Sequence, residues 1–161
     1  METIRVAWGS GVGPTAMASF DAALADAGVC DYNLVTLSSV VPAGATVEAV
    51  GTAPDLGPAG EALYCVQARR TLEPAADGPA RVALGWAREA DGRGLFYEAG
   101  GTDADAVRGT VERGLAAGLE LREWTPADRD VVVETTPADP DRYATAVAVA
   151  AYGETEPLLG E

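Results

Sequence analysis

Two stretches of helical periodicity, 15–28 and 102–122, set apart by consecutive strand patterns, fix the fold class of this 161-residue chain. The first, TAMASFDAALADAG, follows Pro14, which suits a first helical turn where an N–H is not needed, and is closed by Gly28. Its apolar stripe is Ala16, Phe20, Ala23, Leu24 and Ala27. The second carries Asp residues in its first turn and sets Ala106, Val107, Thr110, Val111, Gly114 and Leu115 on one face. Strand patterns are read in TIRVAW (3–8), YNLVTL (32–37), ALYCVQARR (62–70), ARVALGWARE (80–89), GLFYEAG (94–100), DVVVETT (130–136) and ATAVAVAAYG (144–153). GSGVGP (9–14) reads as a tight glycine loop, VGTAPDLGPAGEA (50–62) as a longer loop and ETEPLLGE (154–161) as a tail or edge segment. Runs of strands segregated from helices predict an α+β layered domain, and no repeat or low-complexity linker marks a second one.

What the chain lacks narrows its chemistry. It contains no His and no Lys, so all 11 basic residues are Arg. That excludes a Ser-His-Asp or Cys-His nucleophile, an imidazole metal ligand and a lysine-bound carbonyl cofactor. No metal site is expected. Cys30 and Cys65, far apart in apolar surroundings, are expected to be reduced and packed. A net charge of −14 disfavours nucleic acid, whose binding needs basic residues against phosphate. It suits instead a protein kept dissolved in a salty cytoplasm, where fields are screened within a few ångströms. No membrane-spanning run or signal peptide is read, so a cytoplasmic location is expected.

Asp21 lies at the margin of the first helical stripe, in line with Met17 and Leu24 through i, i+4 and i+7 spacing, while Asp26 points away. An acid beside a packed face calls for a cation or a set of donors. GSGVGPT begins like a dinucleotide-binding fingerprint, but Pro14 takes the last glycine position and no phosphate-binding lysine exists. A tight strand-to-helix turn is the simpler reading of it.

In LSSVVP, Ser38 and Ser39 end a strand pattern just before a proline turn. A serine hydroxyl attacks the preceding carbonyl when the backbone is strained and an oxyanion donor is close. Elimination from the ester so formed, followed by hydrolysis, leaves a pyruvoyl ketone. Such a ketone is an electrophile for amines, the function that a lysine-free chain leaves vacant.

The ordered segments Gly9 to Thr15, Phe20 to Leu24, Ala27 to Val29, Tyr32 to Leu34, Leu37 to Pro42 and FYEAGG around Glu98 resemble the pyruvoyl-dependent arginine decarboxylases over essentially the whole chain. The resemblance implies a single domain, 1–161, with a four-layer αββα sandwich. It implies self-cleavage between Ser38 and Ser39 into chains 1–38 and 39–161, and a homotrimer with sites between neighbouring subunits. It makes Ser39 the precursor of the covalent pyruvoyl cofactor and Ser38 the residue whose carbonyl is attacked. Asn33 matches an asparagine near that carbonyl, and Glu98 the acid that returns a proton to the carbon losing carbon dioxide. Asp21 matches the aspartate that binds the substrate guanidinium, with Met17 and Leu24 lining the path of its methylenes. Cys30 and Tyr32 depart from the smaller or aliphatic residues common at their positions, and Tyr32 facing the pocket would change its size. The acidic, lysine-free composition looks like that of a halophilic archaeal member.

The implied reaction converts L-arginine to agmatine and carbon dioxide. Two alternatives stay open: the same chemistry on lysine, ornithine or aspartate, and an uncleaved, non-catalytic binding or assembly subunit of the same fold.

Overall fold

A computed structural model describes residues 2–160. Two helices and nine strands follow one another in the order β1 (Thr3–Gly13), α1 (Ala16–Ala27), β2 (Asn33–Thr36), β3 (Val40–Val41), β4 (Thr46–Gly51), β5 (Ala62–Leu72), β6 (Ala80–Arg88), β7 (Gly94–Gly101), α2 (Ala104–Arg122), β8 (Asp128–Thr136) and β9 (Tyr143–Tyr152). They make a single small α+β domain with two sheets. The first, of mixed direction, has the order β2-β5-β9-β1-β4; the second, antiparallel, has the order β3-β7-β6-β8.

Three apolar clusters hold the elements together. Ala23, Leu24 and Ala27 of α1 pack on Ala7, Leu63, Cys65, Val147 and Val149 of the first sheet. Val107, Val111, Leu115 and Leu119 of α2 pack on Ala83, Ala87 and Leu95 of the second. Between the sheets, Ile4, Val6 and Val66 meet Val82, Leu84, Trp86 and Phe96. Strand β9 serves two of these clusters because its side chains alternate. Val147 and Val149 go to the α1 side, and Ala146, Ala148 and Ala150 to the inter-sheet side, where their small size leaves room for the Trp86 and Phe96 rings.

The glycine segment is not a loop. Strand β1 runs on through Gly13, paired with β9 from Ile4↔Tyr152 to Gly13↔Tyr143. Gly9, Gly11 and Gly13 fall on the face that α1 crosses. A Cβ on them would stand 2.4 Å from the Ala23 oxygen, 2.3 Å from the Ala23 nitrogen and 2.7 Å from the Ser19 nitrogen. Glycine is therefore required by the approach of the helix backbone, not by a phosphate or a turn. Ser10, on the opposite face, reaches the second sheet, its Oγ 2.5 Å from Thr136 Oγ1.

Other expectations shift by smaller amounts. Ala16 is exposed, and its place in the buried stripe of α1 is taken by Ser19, whose hydroxyl meets that of Thr145 at 2.7 Å and donates to the Ala16 carbonyl. Ala106 and Thr110 are likewise exposed on α2, and its buried face continues instead to Gly118 and Leu119. YNLVTL contributes only four residues to β2. The short β3 and the edge strand β4 were not foreseen, and the tail is an edge segment whose Glu156 bridges Ala62. Cys30 is exposed, contrary to the packed thiol expected, whereas Cys65 is buried; both are free. Among the described residues no helix is long and apolar enough to cross a membrane.

Candidate active site

Helix α1 begins at Thr15, whose side chain accepts a hydrogen bond from Ala18 N–H, and ends at Gly28 in the left-handed conformation. Between these caps the helical repeat brings Met17, Asp21 and Leu24 to one wall of an open cavity of about 790 Å³. Tyr32 and Asn33 form another part of it, with Gln67 and Arg69 of β5 beside them. Asp21 is exposed to this space and makes no ion pair or hydrogen bond among the described residues. Arg69 is the one cation in the wall, and its guanidinium lies 4.4 Å over the Phe20 ring instead of pairing with Asp21. The Tyr32 hydroxyl accepts from Leu56 N–H at 3.0 Å. Asn33 donates from Nδ2 to the Gly60 carbonyl at 2.8 Å. Within one chain, then, Asn33 belongs with Asp21 and does not line the space around Ser38.

The serines line a second, smaller cavity, of about 250 Å³, together with Leu95, Phe96, Tyr97, Glu98 and Arg122. The Ser38–Ser39 peptide is the crossover between the two sheets. On the upstream side, Leu37 N–H donates to Cys65 O of β5 at 2.9 Å, and on the downstream side Phe96 N–H of β7 donates to Ser39 O at 2.8 Å. Val40 and Val41 then pair with Leu95 and Gly94, and the Tyr152 hydroxyl donates to Val40 O. To satisfy both ends, Ser39 takes φ of +75°, a left-handed conformation that costs a side-chain-bearing residue roughly 1–2 kcal/mol.

Glu98 follows Phe96 by two residues on β7, so the pleat sends both side chains the same way. Its carboxyl keeps solvent access, yet the protein packed around it removes enough hydration to raise its pKa above the ordinary value. Arg122, in the last turn of α2, donates to Gly118 O at 3.0 Å and is the one cation in this cavity wall. Sequence reasoning missed Arg122, Gln67 and Arg69. The first reads as an ordinary helix-terminal cation, and the other two as side chains of a strand, with no spacing that ties them to Asp21 or Ser39.

A strained Ser-Ser peptide facing a carboxyl with a raised pKa is suited to backbone self-cleavage and proton transfer. The sequence model of a protein family described as pyruvoyl-dependent arginine decarboxylase matches residues 3–157. The chain belongs to this family. Among members of the pyruvoyl-dependent arginine decarboxylase family, two strains of Halobacterium salinarum hold proteins of that name that are 49% identical over the full length of both chains. One from Methanopyrus kandleri is 33% identical across 90% of this chain and 93% of its own. Another, from Thermococcus kodakarensis, is 36% identical across 78% and 82%. The Halobacterium relatives fit the salt-adapted reading of the charge. Family membership implies a covalently bound pyruvoyl group, and the serine crossover is compatible with making one.

Proposed function

We propose that this chain cuts itself between Ser38 and Ser39 and then decarboxylates L-arginine to agmatine and carbon dioxide. The observation that carries the reading is the left-handed Ser39, held in a crossover tied at both ends and sharing a cavity with Glu98. In the first step the Ser39 Oγ bonds to the Ser38 carbonyl carbon, the Ser38–Ser39 C–N bond breaks, and the hydroxyl proton passes to the freed nitrogen. Cleavage of that C–N bond releases the φ strain at Ser39. Loss of the Ser39 α-proton then breaks the Cβ–O bond, freeing chain 1–38 with a carboxylate end. Water converts the dehydroalanine left at 39 into the pyruvoyl ketone, with release of ammonia.

When bound at position 39, that ketone supplies an electron sink for the carbon that loses carbon dioxide. The protein's own side chains do the rest. Asp21 offers two carboxylate oxygens to the planar guanidinium, while Met17 and Leu24 flank the methylenes and Tyr32 limits their reach. Glu98 holds a proton at higher pH than an ordinary carboxyl, the direction that suits a group returning one to the carbon that loses carbon dioxide. Phe96, on the same face of β7, packs in the core beside it, whereas the Tyr97 ring lies on the other face against α2.

The same reading includes a four-layer αββα order, supported by the three separate clusters, and a cytoplasmic homotrimer. Asp21 and Ser39 line different cavities, with no residue common to both walls. That separation favours a site completed between subunits, where Asn33 of one chain could approach the Ser38 carbonyl of another. Intact mass measurement of the denatured protein tests the central step. Two fragments divided between Ser38 and Ser39, the downstream one lighter by ammonia than hydrolysis alone gives, are expected; one full-length chain would overturn the reading.

A further inference from the structure

Gln67 lies on β5 in the wall of the Asp21 cavity. Its Nε2 donates to Thr36 Oγ1 at 3.3 Å, which fixes the amide by one end. At the other end, Oε1 is buried and has no hydrogen-bond partner, the one such side-chain atom among the described residues. A screened acceptor without a donor costs the free protein stability. Its presence beside a cavity that holds an unpaired carboxylate is explained if a ligand brings the missing donor.

We propose that Gln67 Oε1 is a second acceptor for the substrate guanidinium and sets its preference over an ammonium. The inference rests on reading this cavity as the guanidinium end of the site. A guanidinium carries five N–H donors in a rigid plane, so two can face Asp21 while another meets the amide oxygen once a rotation of the Gln67 amide turns Oε1, closed to solvent in the free protein, into the cavity. An ammonium is a compact charge that Asp21 and water satisfy without Gln67. The neutrality of the amide also matters. Arg69 stands two residues along the same strand and on the same face. A carboxylate at 67 would compete for Arg69, whereas an amide leaves that arginine on the Phe20 ring.

The test uses the cleaved protein and two probes, agmatine and the diamine cadaverine, which ends in an ammonium. Their dissociation constants are measured by calorimetry for wild type, Gln67→Met and Asp21→Asn, alongside arginine kinetics and melting temperature. Methionine keeps the length of the side chain and removes the acceptor. Gln67→Met is expected to weaken agmatine about tenfold, the effect of one charge-assisted hydrogen bond. It should leave cadaverine unchanged, raise the arginine KM with kcat preserved, and melt no lower than wild type because no buried acceptor remains unpaired. An unchanged ratio of agmatine to cadaverine binding overturns the proposal, as does a parallel loss of both ligands with a lower melting temperature, the mark of a structural role. If Asp21→Asn weakens agmatine and Gln67→Met does not, only Gln67 is removed from the site. If neither variant affects agmatine, the guanidinium reading of the cavity falls too.

Discussion

The Phe96 amide and the Ser39 carbonyl lie 2.8 Å apart in a hydrogen bond that fastens the serine crossover to β7. Because Leu37 is fastened to β5 two residues earlier, the Ser38–Ser39 peptide cannot relax without giving up one of these bonds.

Replacement of Ser39 separates strain from chemistry. Ser39→Ala and Ser39→Gly both remove the hydroxyl, so each is expected to give one uncut chain on denaturing electrophoresis. Glycine tolerates φ of +75° and alanine does not. Ser39→Gly should therefore be more stable than Ser39→Ala by about 1 kcal/mol in urea unfolding. Equal stability would show that the crossover stores no strain.

Glu98→Gln should leave cleavage intact and lower kcat by roughly 10²–10⁴-fold, the usual contribution of a positioned acid. Its pH dependence follows from the raised pKa. The folded chain holds the Glu98 proton more tightly than the unfolded chain, so this group's contribution to stability is complete below the ordinary glutamate value of the unfolded chain. The contribution is lost as pH rises through the folded value. Compared in the uncut Ser39→Ala background, the glutamine variant should lose less stability between acid and neutral pH than its glutamate parent. Parallel stability profiles would remove the desolvation argument.

Asp21→Ala is expected to cut itself normally and to raise the arginine KM about 10- to 100-fold through loss of charge-assisted hydrogen bonds. If sites form between subunits, co-expressing it with Glu98→Gln, so that the two precursors fold and assemble together, should restore activity. In randomly mixed trimers about a quarter of the sites would combine two intact halves. No recovery on mixing, from two variants that each assemble, would place the whole site within one chain.

Cys30 reports on the same cavity. Partial desolvation, then the neighbouring Asp31 carboxylate, raise its thiol pKa, so alkylation should be slow at neutral pH and quicken in mild alkali. Cys65, buried and pushed up to about 12, should stay unlabelled until the protein unfolds. Saturating agmatine should protect Cys30, which lines the cavity with Asp21. Labelling at the same rate with and without agmatine would argue that the ligand binds elsewhere.

Gly11→Ala probes the fold. A Cβ there meets the Ala23 nitrogen at 2.3 Å, so α1 must lift from β1, at a cost of about 3 kcal/mol or more by thermal unfolding. Arginine affinity should fall with it, since Asp21 rides on the displaced helix.

Both helices were legible because their signals are local. Thr15, Gly28 and Asp103 act within a turn of the ends they define. Strand β1 was legible only to Trp8, since nothing in GSGVG reveals that a helix backbone will lie across it. Strand β4 escaped notice because Thr46 to Gly51 sits at a sheet edge with several side chains in solvent. The serine pair and Glu98 stand 59 positions apart in sequence, counted from Ser39, and meet through the pairing of β3 with β7. That pairing was invisible in a two-residue strand. The family pattern supplied what periodicity could not: which serine, which acid and which aspartate to watch.

Strand β1 lies inside its sheet, between β9 and β4, and both neighbours come from the part of the chain beyond Ser39. A cut at the crossover would therefore leave the severed piece threaded through its partner, with no change in shape. The loss appears only on unfolding. Two separate molecules must then find each other, at a rate that depends on their concentration, and the missing peptide bond cannot be remade. Such an enzyme folds once, as a precursor, and its working life is set by how slowly it comes apart.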